Sequence, residues 1–111
     1  MKKKDIVKSR IDFNKIIKTG DKVSNDCFAI YYKDNNLNKC RYGVSVGTKL
    51  GNAVFRNKYK RKIRMIITCN MKTLDNTKKD IIVLFRQSGI EKTYQELENK
   101  YISLINKIKE N

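Results

Sequence analysis

The 111-residue sequence contains no histidine, no proline and no tryptophan, and only three cysteines and five glycines. Without histidine, imidazole-based acid–base or nucleophilic catalysis is not available to it. Cys27, Cys40 and Cys69 are widely spaced and form no C-x-x-C pair, so with no imidazole to help them they are not expected to hold zinc. An odd number of scattered cysteines reads as buried or idle thiols in a reducing compartment. With no proline, no repeat and no low-complexity linker there is no sign of a domain boundary, and residues 1–111 read as a single domain. Long apolar runs are missing too. The basic start Met1-Lys2-Lys3-Lys4 is followed by Ile6-Val7 and then at once by Lys8-Ser9-Arg10, whereas a secretory signal needs about 7–15 apolar residues there. No stretch approaches the roughly 18 apolar residues of a membrane span. The expectation is a cytoplasmic protein with no membrane association.

Acidic residues are the other scarcity. The chain has 11 Asp+Glu against 26 Lys+Arg, a formal net charge of +15. Self-repulsion on that scale works against the compact state, and a polyanionic partner relieves it. The charge is also unevenly spread. From Asn35 to Leu74 there is no acid, while the same forty residues hold ten basic ones.

With 40% hydrophobic residues, the chain can still build a modest core. Residues 9–18 read as a short helix with Ser9 as N-cap, Asp12 near a capping box, Phe13, Ile16 and Ile17 on one face, and Gly20 as the stop. Residues 27–33 read as an aromatic and β-branched strand, with a shorter strand near 22–24 before it. Residues 41–47 form a further strand in which Tyr42, Val44 and Val46 alternate toward the core. Residues 52–70 read as the main helix, capped by Asn52 and packed through Phe55, Tyr59, Ile63 and Ile66. The five apolar residues within 80–86 mark a central strand buried on both faces. Residues 94–109 read as the last helix, with a Thr93–Glu96 capping box and a core stripe of Tyr94, Leu97, Tyr101, Leu104, Ile105 and Ile108. The order implies an α+β sandwich.

The main helix carries the unusual chemistry. Arg56, Lys60 and Arg64 stand at i, i+4 and i+8, Arg61 extends the same side, and Lys49 and Lys58 lie near it. Like charges at that spacing destabilise a helix, unless phosphates share the face. Binding would then release counterions and weaken with salt. Arginine suits a bidentate grip on phosphate, and the helix N-terminus offers free N–H groups. Asn52 and Asn57 read equally as RNA-facing polar groups or as, respectively, a plain N-cap and a solvated position. Phe13 and Tyr31 read as core packing or as a stacking platform for single-stranded RNA. No catalytic or metal-ligating set is visible, so any hydrolysis involving this chain would use chemistry from a partner.

The run Gly51-Asn52-Ala53-Val54-Phe55-Arg56-Asn57-Lys58-Tyr59-Lys60-Arg61-Lys62-Ile63-Arg64 resembles the signature G-N-A-V-x-R-N-x-x-K-R-x-x-R of the bacterial ribonuclease P protein at every fixed position. Asp12-Phe13, Phe28 to Tyr31, Val44-Ser45-Val46 and Asp80 to Val83 resemble its flanking elements in the same order. The resemblance implies an αβββαβα two-layer sandwich, a small mixed sheet packed by helices, with a left-handed βαβ crossover, the fold shared with some ribosomal proteins. It implies a non-catalytic subunit of a ribonucleoprotein endonuclease that removes the 5′ leader of precursor tRNA, paired 1:1 with ribonuclease P RNA, which would hold the Mg2+ and the active site. Lys49, Asn52, Arg56, Asn57, Lys60, Arg61 and Arg64 would face that RNA, and Phe13, Ile17 and Tyr31 would line the leader groove. The chain departs from the family in three places. Gly47-Thr48-Lys49 stands where Ser-Lys-Lys is usual, Ile17 where an aromatic is usual, and Ile6-Val7 where Arg-Leu is usual. A ribosomal protein or RNA chaperone would explain the charge but not the signature. An autonomous nuclease is opposed by the missing histidine and scarce acids, and a polybasic membrane-surface protein by apolar positions committed to a core.

Overall fold

A computed structural model describes residues 6–7, 10–35, 39–71 and 78–110, the last without its side chain. Three helices and four strands follow one another as α1 (Arg10–Thr19), β1 (Asp21–Ser24), β2 (Phe28–Asp34), β3 (Arg41–Val46), α2 (Ala53–Cys69), β4 (Lys79–Phe85) and α3 (Tyr94–Glu110). Each expected element is present, displaced by a residue or so at its ends. The proposed N-cap Ser9 lies outside the described residues.

Strand β4 organises the sheet. It is inserted between β2 and β3, so the order is β1-β2-β4-β3. It runs antiparallel to β2 and parallel to β3. Its central place explains its unbroken apolar run. Alternate side chains point to opposite faces, and here both faces are covered. Ile81, Val83 and Phe85 join the main core, while Ile82 joins a second, smaller cluster with Val7 and Ile16. Helix α2 lies against β3, and α3 against β1 and β2. These two helices form the second layer of the sandwich. Helix α1 packs on β2 and β4 from the other side.

The helix faces follow their apolar spacing. Tyr59, Ile63, Ile66 and Ile67 of α2 are buried, as are Leu97, Tyr101, Leu104, Ile105 and Ile108 of α3. Complete burial of an isoleucine such as Ile63 contributes about 2 kcal/mol. Tyr94 departs from the expected core stripe. It is 39% exposed, because it occupies the first turn of α3, where the helix has not yet come over the sheet. Gly20 ends α1 where the chain passes close to β2. A Cβ there would lie 2.6 Å from the carbonyl oxygens of Ile16 and Tyr32. Cys27 and Cys40 are buried and Cys69 is exposed, and none of the three is joined in a disulfide. No described helix is long and apolar enough to cross a membrane.

Candidate nucleic-acid interface

The signature begins where a 3-10 turn, Thr48–Leu50, hands the chain to α2. Asn52 is the N-cap. Its Oδ1 accepts the Phe55 N–H at 2.9 Å, and its backbone carbonyl accepts the Arg56 N–H at 2.9 Å. The side-chain NH2 has no partner among the described residues, so one asparagine can cap the helix and still donate outward. Asn57, one turn on, is exposed.

With about 100° between successive residues, Arg56, Lys60 and Arg64 line one flank of α2, with Asn57 and Arg61 next to them. Lys58 and Lys62 lie on the flank toward α3. Arg61 and Arg64 are exposed, Arg56 and Lys60 half-buried, and Lys49 is exposed on the preceding turn. Among the described residues none of these five cations forms an ion pair. Arg56 goes further, since its Nε is buried with no hydrogen-bond partner there. The ion pairs of the described residues lie elsewhere, as Arg41 with Asp80 and Asp12, Lys79 with Asp34, and Lys100 with Asp26. Helix α2 has no acid in its first turn and no base in its last, the reverse of what its dipole favours. Four of these cations are thus gathered on α2 and the fifth on the turn before it, with no ion-pair partner among the described residues.

The aromatic surface lies on the opposite face of the sheet. Phe13 and Ile17 of α1 and Tyr31 of β2 are half-buried and pack with Leu84 against Val7, Ile16 and Ile82. The Phe13 ring rests over Gly43, where a Cβ would come within 3.0 Å of it. Packing and exposure coexist at these three residues, since each anchors the small cluster and keeps part of its surface open. Lys22 of β1 reaches over the Tyr31 ring, Nζ to centroid 5.5 Å, adding a cation beside the platform. Nothing in the sequence marked Lys22, because only the β1–β2 pairing sets it opposite Tyr31.

A buried polar anchor supports this surface. Arg41 donates from Nε to Asp80 Oδ1 at 2.8 Å and from Nη2 to Oδ2 at 2.6 Å, and Asn35 Nδ2 donates to Oδ1 at 2.8 Å. Arg41 Nη1 also stands 4.0 Å from Asp12 on α1, the neighbour of Phe13. Burial pushes the Asp80 carboxyl up, but the hydrogen bonds from Arg41 and Asn35 outweigh it and hold its pKa below the ordinary value. Sequence reading missed this anchor because its partners are 39 residues apart and meet only through the parallel register of β3 and β4. Among the described residues no group of three or more His, Cys, Asp or Glu comes together to hold a metal ion.

Comparison with known proteins agrees with this layout. The family model described as Ribonuclease P matches residues 1–109. A ribonuclease P protein component from Mycoplasma capricolum is 47% identical over 109 residues, 98% of this chain and 100% of that protein. Among solved structures, a Staphylococcus aureus RNase P protein mutant superposes with a TM-score of 0.87 at 36% identity, covering 96% of this chain and 90% of that one. The RNase P protein from Thermotoga maritima gives 0.83 at 27% identity, covering 92% and 96%. With the signature helix, the sheet order and these whole-chain matches in agreement, the chain belongs to the ribonuclease P protein family.

Proposed function

We propose that this chain is the protein subunit of ribonuclease P and works by holding two RNAs on two surfaces. The flank of α2 bearing Arg56, Lys60, Arg61 and Arg64, with Lys49, Asn52 and Asn57 beside it, lies against the catalytic RNA in a 1:1 particle. The surface of Phe13, Ile17 and Tyr31 takes the single-stranded 5′ leader of precursor tRNA. Phosphodiester hydrolysis belongs to the RNA subunit and its Mg2+. The protein contributes fixed positive charge, which screens phosphate repulsion and lowers the Mg2+ needed for assembly and substrate binding. The particle works in the cytoplasm.

The carrying observation is the partnerless state of the α2 cations among the described residues. Holding like charges together has no internal compensation, so the compensation is external. If Lys49, Arg56, Lys60, Arg61 and Arg64 each neutralise one phosphate, log affinity falls with log salt with a slope of about −4. The decisive experiment is reconstitution with the cognate RNA and precursor tRNA across a Mg2+ titration. The protein is expected to shift half-maximal cleavage to lower Mg2+. Cleavage with the same Mg2+ requirement with and without protein overturns the reading.

A further inference from the structure

Beyond the flank that carries the signature, α2 and the start of α3 enclose a shallow cleft of about 310 Å3 lined by Lys58, Arg61, Lys62, Met65 and Tyr94. Its apolar floor is unusual for this surface. Met65 is 55% exposed and Tyr94 39%. The rim is entirely cationic. Glu98, one turn on from Tyr94, accepts a hydrogen bond from Asn70 at 3.2 Å and keeps one negative charge on the α3 side. Lys62 reaches over the Tyr59 ring, Nζ to centroid 4.9 Å, and also lines the cleft.

An apolar floor edged by cations fits an unpaired nucleobase with its flanking phosphates. Aromatic side chains stack any base, and lysine and arginine neutralise the backbone beside it. The volume falls in the range of small-ligand sites, about 300–1,000 Å3, which accommodates one base. A second copy of this chain is disfavoured, because a two-fold contact here would bring two such rims together.

We propose that this cleft receives one unstacked base of the catalytic RNA, with Tyr94 and Met65 as the stacking floor and Lys58, Arg61 and Lys62 on the adjoining phosphates. The assignment to the catalytic RNA rests on the function proposed above, since Arg61 belongs to both the cleft and the signature face. It adds α3 to an interface otherwise made by α2 and the turn that leads into it.

The sequence has no tryptophan, so Tyr94→Trp creates a single reporter at the floor. On assembly with the catalytic RNA its emission is expected to fall at least about twofold and to become shielded from acrylamide, as stacking requires. In parallel, Tyr94→Ala is expected to weaken assembly about fivefold or more, and Tyr94→Phe to leave it unchanged. Arg64→Glu serves as the reference for the main interface. If Arg64→Glu impairs assembly while the indole of the Tyr94→Trp variant keeps its free emission in the assembled particle, the cleft proposal fails and the functional reading stands. If neither Arg64→Glu nor Tyr94→Ala matters, both fail. Quenching that appears only on adding precursor tRNA, or with rising protein concentration and no RNA, also overturns it in favour of substrate or a second copy.

Discussion

Helices α2 and α3 are the same length, 17 residues each, and share one face of one sheet, yet they treat charge in opposite ways. Helix α3 follows the rules for an isolated stable helix. Thr93 and Glu96 form a reciprocal capping box at 3.2 Å each way, Glu96 sits in the first turn, and Lys107 and Lys109 in the last. The Thr93 hydrogen bonds hold the Glu96 carboxyl below its ordinary pKa. Helix α2 has only its asparagine cap. Its cations crowd the N-terminal half against the dipole and against each other. Both helices bury apolar stripes against the sheet, and α2 is also tied down by hydrogen bonds from Tyr59 to the Ile90 carbonyl and from Asn70 to Glu98. Of the two helices, α3 carries the arrangement that favours stability, and α2 carries like charges that form no ion pair among the described residues.

Arg41 sharpens the contrast, being a cation fully committed inside the fold. Asp80→Ala leaves it partly buried and without its main partner, which is expected to cost about 3 kcal/mol, read by urea denaturation. The same pair sets an acid limit. Because the folded pKa of Asp80 lies below the ordinary value of 3.8, its stabilisation is complete above that value and is lost as pH falls through the folded pKa. Asp80→Asn should remove this part of the acid sensitivity.

On α2 the sign of the result reverses. Arg56→Glu or Arg64→Glu is expected to leave stability unchanged or slightly higher, while each weakens binding to the catalytic RNA at least about tenfold and reduces the salt slope by about one. Filter binding at several salt concentrations reads both. A loss of stability without loss of binding would erase the distinction between the helices. The smallest expected effect comes from α3. Thr93→Ala should lower stability by about 1 kcal/mol and leave RNA affinity as it was.

Much of this was readable in advance for identifiable reasons. The elements of the fold were legible because their periodicities are strong. The five-residue apolar run of β4 specified a central strand, and the spacing of Tyr59, Ile63 and Ile66 specified the buried side of α2. The signature residues were legible because so many positions of defined type at fixed spacing, from Gly51 to Arg64, leave little room for coincidence. Tyr94 was misread as core. Its helical spacing matches Leu97 and Tyr101, but spacing does not say where along its length a helix meets the sheet. The dual character of Phe13 and Tyr31 was also beyond reach, since a half-covered aromatic and a buried one have the same neighbours in sequence.

By itself the sequence determined the charge surplus, the helix that concentrates it, the central strand and the lack of histidine, all of which depend on residue type and local spacing. Only the tertiary structure decided the insertion of β4 between β2 and β3, the closing of Arg41 onto Asp80, the placing of Lys22 over Tyr31 and the cleft beside Tyr94. Each of these brings together residues that are distant along the chain, and their meeting depends on strand register and layer packing, which local composition does not encode.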